Sequence, residues 1–159
     1  MTRYLAFAVV VLLASCAQAY AASPPLYPDQ AMTPGVVDPS VTTAMICAKG
    51  GYTNIAGVRH VTAATKRKVL QEYGYTADWG STEVDHRLPL ILGGSNDIHN
   101  LWAESYLTAE LNAHRKDHAE VATWHAVCEG KITLPEAQAL FLGDWVDAYT
   151  RFVGPLPTN

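Results

Sequence analysis

The sequence has little positive charge, no repeat and no apolar stretch of membrane-spanning length. Its 159 residues contain 11 Lys and Arg against 15 Asp and Glu, for a formal net charge of −4. Proteins that bind nucleic acids usually have a basic face, so any such contact here must be local. The apolar run from Leu5 to Ala14 is too short to span a membrane. The length supports one small domain with a modest core.

The N-terminal segment resembles an export signal. Arg3 precedes the apolar run, and Ala17-Gln18-Ala19 has the small-x-small pattern that signal peptidase cleaves. Leu13-Ala14-Ser15-Cys16 instead resembles a bacterial lipobox, in which the Cys becomes the lipidated first residue. We expect residues 1–19 to be a signal peptide and leave the two cleavage alternatives open. The mature protein is then periplasmic, secreted or an outer-envelope lipoprotein of a bacterium. It has no transmembrane helix, and a lipid on Cys16 would be its sole attachment to a membrane.

Cysteine is scarce as well. Past Cys16 there are only Cys47 and Cys128, and two isolated cysteines lack the paired spacing of a zinc site. In an oxidising compartment an even number of cysteines favours a disulfide, here between Cys47 and Cys128. The alternative is two separate buried thiols.

The composition divides the exported chain in two. Residues 20–40 are rich in Ala, Pro, Ser and Thr and predict a flexible tether, whereas residues 41–155 predict the folded domain. The expected class is α+β, a mostly helical domain around a small β-hairpin. The predicted elements are a helix Thr62–Tyr73, a strand Glu83–Leu92, a return strand Asn100–Trp102, a helix from Tyr106 to Val127, a capping box at Thr133 and one apolar helical stripe from Leu140 to Phe152.

The segment Glu83–Trp102, EVDHRLPLILGGSNDIHNLW, carries the chemistry. Asp85 can hold a cation beside His86, which can take a proton from water, and metal-assisted hydrolysis needs both. Gly93-Gly94 predicts a tight turn, since glycine adopts positive φ without steric cost.

This order of residues resembles the HNH (His-Asn-His) endonuclease family and its ββα-metal motif. The resemblance covers about Glu83–Glu120, roughly a quarter of the chain, and the cysteine pairs of zinc-framed members are missing. By position, Asp85 matches the first metal ligand and His86 the general base. Asn100 matches the middle Asn, which pins the loop and orients the His. The helix ligand corresponds to Asn112, with His114 as the alternative.

The resemblance implies a metal-dependent endonuclease that uses one divalent cation, Mg, Mn, Ni or Zn. The expected partner is nucleic acid, with DNA ahead of RNA. The basic side chains expected to contact its phosphates are Arg115, Lys116, Lys66, Arg67 and Lys68, although each could instead belong to a solvated helix face. Two other interpretations stay open. Asp85 and His86 could be an ordinary pair at a strand end, or the domain could be an exported, non-catalytic binding module, which the net negative charge favours.

Overall fold

The computed structural model describes residues 26–49, 51–54, 57–75 and 80–157. The predicted signal peptide and Cys16 lie outside these ranges. Within them, no helix is both long enough and apolar enough to cross a membrane. The elements are α1 (Thr43–Ile46), α2 (Ala63–Glu72), β1 (Thr82–His86), β2 (Leu101–Ser105), α3 (Ala113–Cys128), α4 (Leu134–Gly143) and α5 (Trp145–Phe152).

The predicted α+β class is confirmed, with the helices arranged around one antiparallel hairpin. In this hairpin β1 pairs with β2, with Thr82 opposite Ser105 and His86 opposite Leu101. The helix predicted over Thr62–Tyr73 is α2, and the Thr62 side chain caps it by accepting from the backbone N–H of Thr65.

The strand predicted to reach Leu92 ends at His86. Beyond it, the Arg87 N–H donates to the carbonyl of Asn100 at 2.7 Å, and the Leu88 N–H donates to the side-chain oxygen of Asn100 at 2.9 Å. Pro89 has no N–H to continue a ladder. Leu90–Leu92 forms a 3-10 turn instead.

The helix predicted from Tyr106 begins only at Ala113. Asn112 is its N-cap, and the Asn112 side chain accepts a hydrogen bond from the Arg115 N–H. An Asn that bonds the nearby backbone favours a helix start over a helix interior. The single stripe predicted over Leu140–Phe152 is also divided, because Asp144 ends α4 and caps α5.

Two apolar clusters hold these elements together. The larger one joins α3, α4 and α5 to the Leu88–Leu92 region, and the smaller one packs α2 against the hairpin through Val69, Leu70 and Val84. Residues 26–40, the described part of the predicted tether, contact the domain. Thr33 is buried, and its hydroxyl donates to the carbonyl of Leu101 at 2.9 Å.

Cys47 and Cys128 form the predicted disulfide, with their Cα atoms 5.4 Å apart. Cys47 directly follows α1, and Cys128 is the last residue of α3. The bond therefore ties the beginning of the domain to the end of its longest described helix, across 81 residues of sequence.

We expect the double substitution Cys47→Ala/Cys128→Ala to lower the free energy of unfolding by about 2–4 kcal/mol, because the unfolded chain loses its cross-link. Urea denaturation measures the difference. A reductant should destabilise the wild type to the same extent and leave the double variant unchanged. Equal midpoints for oxidised and reduced wild type would contradict the expectation.

Candidate active site

His86 stands at the end of β1 with its imidazole enclosed. The residue is 1% exposed, and its Nε2 lies 3.2 Å from the side-chain oxygen of Asn96. Asn96 belongs to the loop between the two strands and was not among the residues singled out from the sequence.

The contacts of Asn96 determine which nitrogen of His86 carries the proton. The Asn96 Nδ2 donates to the carbonyl of Val58 at 2.7 Å, and its Oδ1 accepts from the backbone N–H of His60 at 3.1 Å. These two bonds fix the orientation of the amide, since a carbonyl only accepts and an N–H only donates. His86 must therefore donate from Nε2, which leaves Nδ1 with a free lone pair in the neutral ring.

That Nδ1 atom has no hydrogen-bond partner among the described residues. Burial lowers the pKa of His86 to about 4, and the opposing effects of the Asp85 charge and the Asn96 hydrogen bond are smaller. The ring is therefore neutral at pH 7, with Nδ1 able to accept a proton.

We expect Asn96→Asp to raise the pKa of His86 above about 5, because a carboxylate then lies beside the imidazole. NMR titration of the ring measures this. The control is Asn96→Ala, which removes the hydrogen bond without adding a charge and should leave the pKa at or below its wild-type value. An unchanged pKa in the Asp variant would mean that residue 96 does not contact His86.

Asn100 pins the loop that follows β1, the first of the two tasks that the resemblance gives it. It is fully buried. Its Oδ1 accepts from the N–H groups of Leu88 and Val36 at 2.9 and 3.2 Å, and its Nδ2 donates to the carbonyls of Leu88 and Ser95 at 3.0 and 2.8 Å. The side chain that bonds to the imidazole is Asn96. Among the described residues, the bonds of the Asn100 side chain are all to backbone groups, so it holds the loop and does not hydrogen-bond to the ring.

The two glycines of the loop have different tasks. Gly93 has the positive φ expected of a turn glycine, +80°. Gly94 does not, but a Cβ there would lie 1.8 Å from the carbonyl oxygen of Leu88. No side chain fits at Gly94, because the backbone approaches too closely.

The Asp85 side chain points to the face of the hairpin opposite that of His86, because successive side chains of a strand alternate between its two faces. Its carboxylate accepts directly from the Lys116 ammonium, which is 1% exposed. The same ammonium lies 2.5 Å from an oxygen of Glu120, one helical turn further along α3, and 3.9 Å from Oε2 of Glu104 on β2. Three carboxylates from three elements therefore surround one buried cation.

The protonation of this cluster follows from its burial. Burial raises the pKa of Glu104 to about 9 and that of Glu120 to about 7, in both cases against the attraction of Lys116. Burial also tends to raise the pKa of Asp85, but the contact with Lys116 outweighs this effect and holds the pKa below its usual value. Burial opposes the charge of Lys116, yet the three carboxylates raise its pKa. At neutral pH the cluster contains an Asp85–Lys116 ion pair beside a protonated Glu104.

The contribution of Glu104 to stability should therefore fall as the pH rises from about 5 to 9. Glu104 has a raised pKa, so the folded state retains a proton that the unfolded state has released, and this difference weakens folding with increasing pH. We expect Glu104→Gln to reduce this slope, measured from urea midpoints across the range. A variant as pH-dependent as the wild type would contradict the assignment.

The two residues predicted as alternatives for the helix metal ligand, Asn112 and His114, make contacts with protein groups. The Asn112 Oδ1 accepts from the Arg115 N–H and its Nδ2 donates to the carbonyl of Thr108, so backbone groups use both ends of the amide. The exposed His114 stacks against Tyr106, with ring centroids 5.2 Å apart.

The predicted metal pair, Asp85 with Asn112, does not fit a cation in this arrangement. The Lys116 ammonium already lies against the Asp85 carboxylate, and the Asn112 side chain caps α3. Across the described ranges, no group of three or more His, Cys, Asp or Glu side chains is arranged to hold a metal ion.

The basic residues fall into two sets. Lys116 is buried and does not face a phosphate in solution. Lys66, Arg67 and Lys68 are exposed on α2, and Arg115 is partly exposed at the start of α3. Arg59 is also exposed, and its charge acts on His86, lowering the pKa of the imidazole.

Three side chains at the site, Asn96, Glu104 and Glu120, had no role in the sequence-based interpretation. Glu120 gave one signal, since it stands four residues after Lys116 and such pairs meet on a helix. Asn96 and Glu104 gave none, because their partners are distant in sequence.

A comparison with models of protein families gave no match for this chain. Neither the curated proteins nor the solved structures that were compared with it showed significant similarity.

Proposed function

We propose that this protein is an exported endonuclease of HNH type that hydrolyses phosphodiester bonds with His86 as general base. The observation that carries the proposal is the state of the imidazole. Asn96 fixes its tautomer, and its unprotonated Nδ1 has no partner among the described residues. A base needs both a free lone pair and a fixed direction.

In the proposed reaction a water molecule loses its proton to Nδ1 of His86 as its oxygen attacks the phosphorus. The bond to the leaving oxygen breaks, and that oxygen departs with the bonding electrons and takes a proton from solvent. The imidazolium that forms lies next to the ionised Asp85 in the chain, which favours the charged form. Arg59, whose charge acts on His86, is the residue that we assign to the phosphate. Lys66 and Arg67 on α2 would hold neighbouring phosphates, with DNA as the expected substrate.

His86 is 1% exposed, so substrate needs access that the closed arrangement does not give. The segment Val58–His60 is attached to Asn96 by two hydrogen bonds and carries Arg59. In this proposal substrate entry requires a local opening beside this segment, with Arg59 available to the entering phosphate.

The use of a divalent cation remains a prediction that rests on the resemblance to the HNH family. Such an ion would supply Lewis-acid stabilisation of the leaving oxygen. Because Asp85 and Asn112 do not fit it as arranged, no step is assigned to it.

The test is a cleavage assay on supercoiled plasmid, single-stranded DNA and RNA, with Mg²⁺, Mn²⁺, Ni²⁺ and Zn²⁺ in turn and with a chelator. We expect cleavage by the full disulfide-bonded protein and its loss in His86→Ala. Absence of cleavage on every substrate, or cleavage that survives the substitution, would refute the proposal.

A second candidate is an exported binding module without catalysis. It is favoured by the burial of both motif side chains, Asp85 and His86, which face opposite sides of the hairpin and are both bound to protein groups. Retention of nucleic acid in a gel-shift experiment, without cleavage under any of the conditions above, would select this candidate.

A further inference from the structure

The carboxylate cluster next to the motif already contains a cation of its own. The Lys116 ammonium donates to Asp85 from β1, lies 2.5 Å from Glu120 on α3 and 3.9 Å from Glu104 on β2. Its side chain is 1% exposed, so these oxygens, and not water, surround it.

The surrounding oxygens are the type that hard divalent cations prefer, since carboxylates are the usual ligands of Ca²⁺ and Mg²⁺. One of them is incompletely used. Oε2 of Glu104 is buried, faces the ammonium at 3.9 Å and has no hydrogen-bond partner among the described residues. A buried oxygen without a hydrogen-bond partner calls for an explanation, and one explanation is a place for a cation closer than Lys116.

Lys116 and a divalent ion exclude each other at this place. An ion bound to Asp85 would lie in contact with the ammonium that the same carboxylate holds, and two cations that share one buried carboxylate repel each other strongly. Lys116 is fixed by the helix on which it stands, with Glu120 one turn away.

We propose that Lys116 is the resident cation of this cluster and takes the place that the HNH-like motif gives to a divalent metal. The wild-type cluster of Asp85, Glu104 and Glu120 then binds no divalent ion. Removal of the Lys116 charge leaves these three side chains without that cation. They are not arranged around a metal ion in the wild type, and we expect a divalent ion to draw them together in the variant.

The proposal is tested by calorimetric titration of the protein with Mn²⁺ and Ca²⁺. A second measurement is Tb³⁺ luminescence excited through Trp102, which is opposite Asp85 in the hairpin. For the wild type we expect no saturable binding up to about 1 mM, which is the weak end of natural carboxylate sites. Lys116→Gln should bind the divalent ion with a Kd at least about tenfold below this limit of about 1 mM. Adding Glu104→Gln to that variant should remove the gain in affinity. Lys116→Arg, which keeps the cation, should behave like the wild type.

Two results would overturn the proposal: wild-type binding that Asp85→Asn abolishes, or a Lys116→Gln variant that binds no better than the wild type. If Lys116→Gln is unfolded by itself, Mn²⁺ or Ca²⁺ should restore its circular dichroism spectrum, and failure to do so would count against the proposal. Binding and folding are measured without nucleic acid. An inactive protein would therefore refute the proposed nuclease function and leave this outcome unaffected.

Discussion

Lys116→Met should lower the free energy of unfolding by about 3–5 kcal/mol, the usual cost of removing one partner from a buried ion pair. Methionine retains most of the volume of the lysine stem, so the loss reports the charge. Without the ammonium, Asp85 is a buried carboxylate beside Glu104 and Glu120, with no opposite charge in contact among the described residues. Urea denaturation at pH 7 measures the change, since a shifted midpoint with an unchanged slope is a change in stability.

The matched control is Lys68→Met on α2. Lys68 also pairs with a glutamate four residues later, Glu72 at 3.8 Å, but these two side chains are 63% and 45% exposed. Exposed pairs of this kind contribute about 0.3–0.5 kcal/mol. Similar losses in the two variants would mean that Lys116 is not held in a buried cluster. A second check is Asp85→Asn in the Lys116→Met background, which should regain part of the stability.

His86→Ala should reduce kcat/KM for phosphodiester cleavage by about 10²–10⁴-fold, the typical contribution of a positioned general base. The lost group is the unprotonated Nδ1 that Asn96 directs through the other ring nitrogen. Because burial holds the pKa of His86 at about 4, the wild-type rate should show no titration of this residue between about pH 6 and 8. Initial rates on plasmid at several pH values measure both effects.

His125→Ala is the control for that measurement. His125 is exposed on the last turn of α3, stacks on Trp124 and lies outside the proposed site. It should cleave like the wild type. A His86→Ala variant that folds, by circular dichroism, and still cleaves within about threefold of the wild type would remove His86 from the base position.

Local features of the sequence determined a large part of the fold. Thr62 begins α2, and Thr133 with Glu136 forms the capping box of α4, because each cap involves atoms no more than three residues apart. The hairpin and the disulfide between Cys47 and Cys128 were also predictable, the first from the motif and the second from cysteine number. The errors concern the boundaries of elements. The helix predicted from Tyr106 begins seven residues later, at Ala113, because Asn112 caps it there.

The contents of the site were decided by the tertiary structure. Asn96 reaches His86 in the direction fixed by Val58, a residue 38 positions earlier in the chain. Lys116 appeared from the sequence to be a solvent-facing phosphate ligand. It is buried because α3 lies on the hairpin face that presents Asp85 and Glu104. Helical spacing shows which residues share a face, but the charge that this face meets depends on contacts between distant segments, which determine whether a lysine binds a substrate or neutralises the interior of the protein.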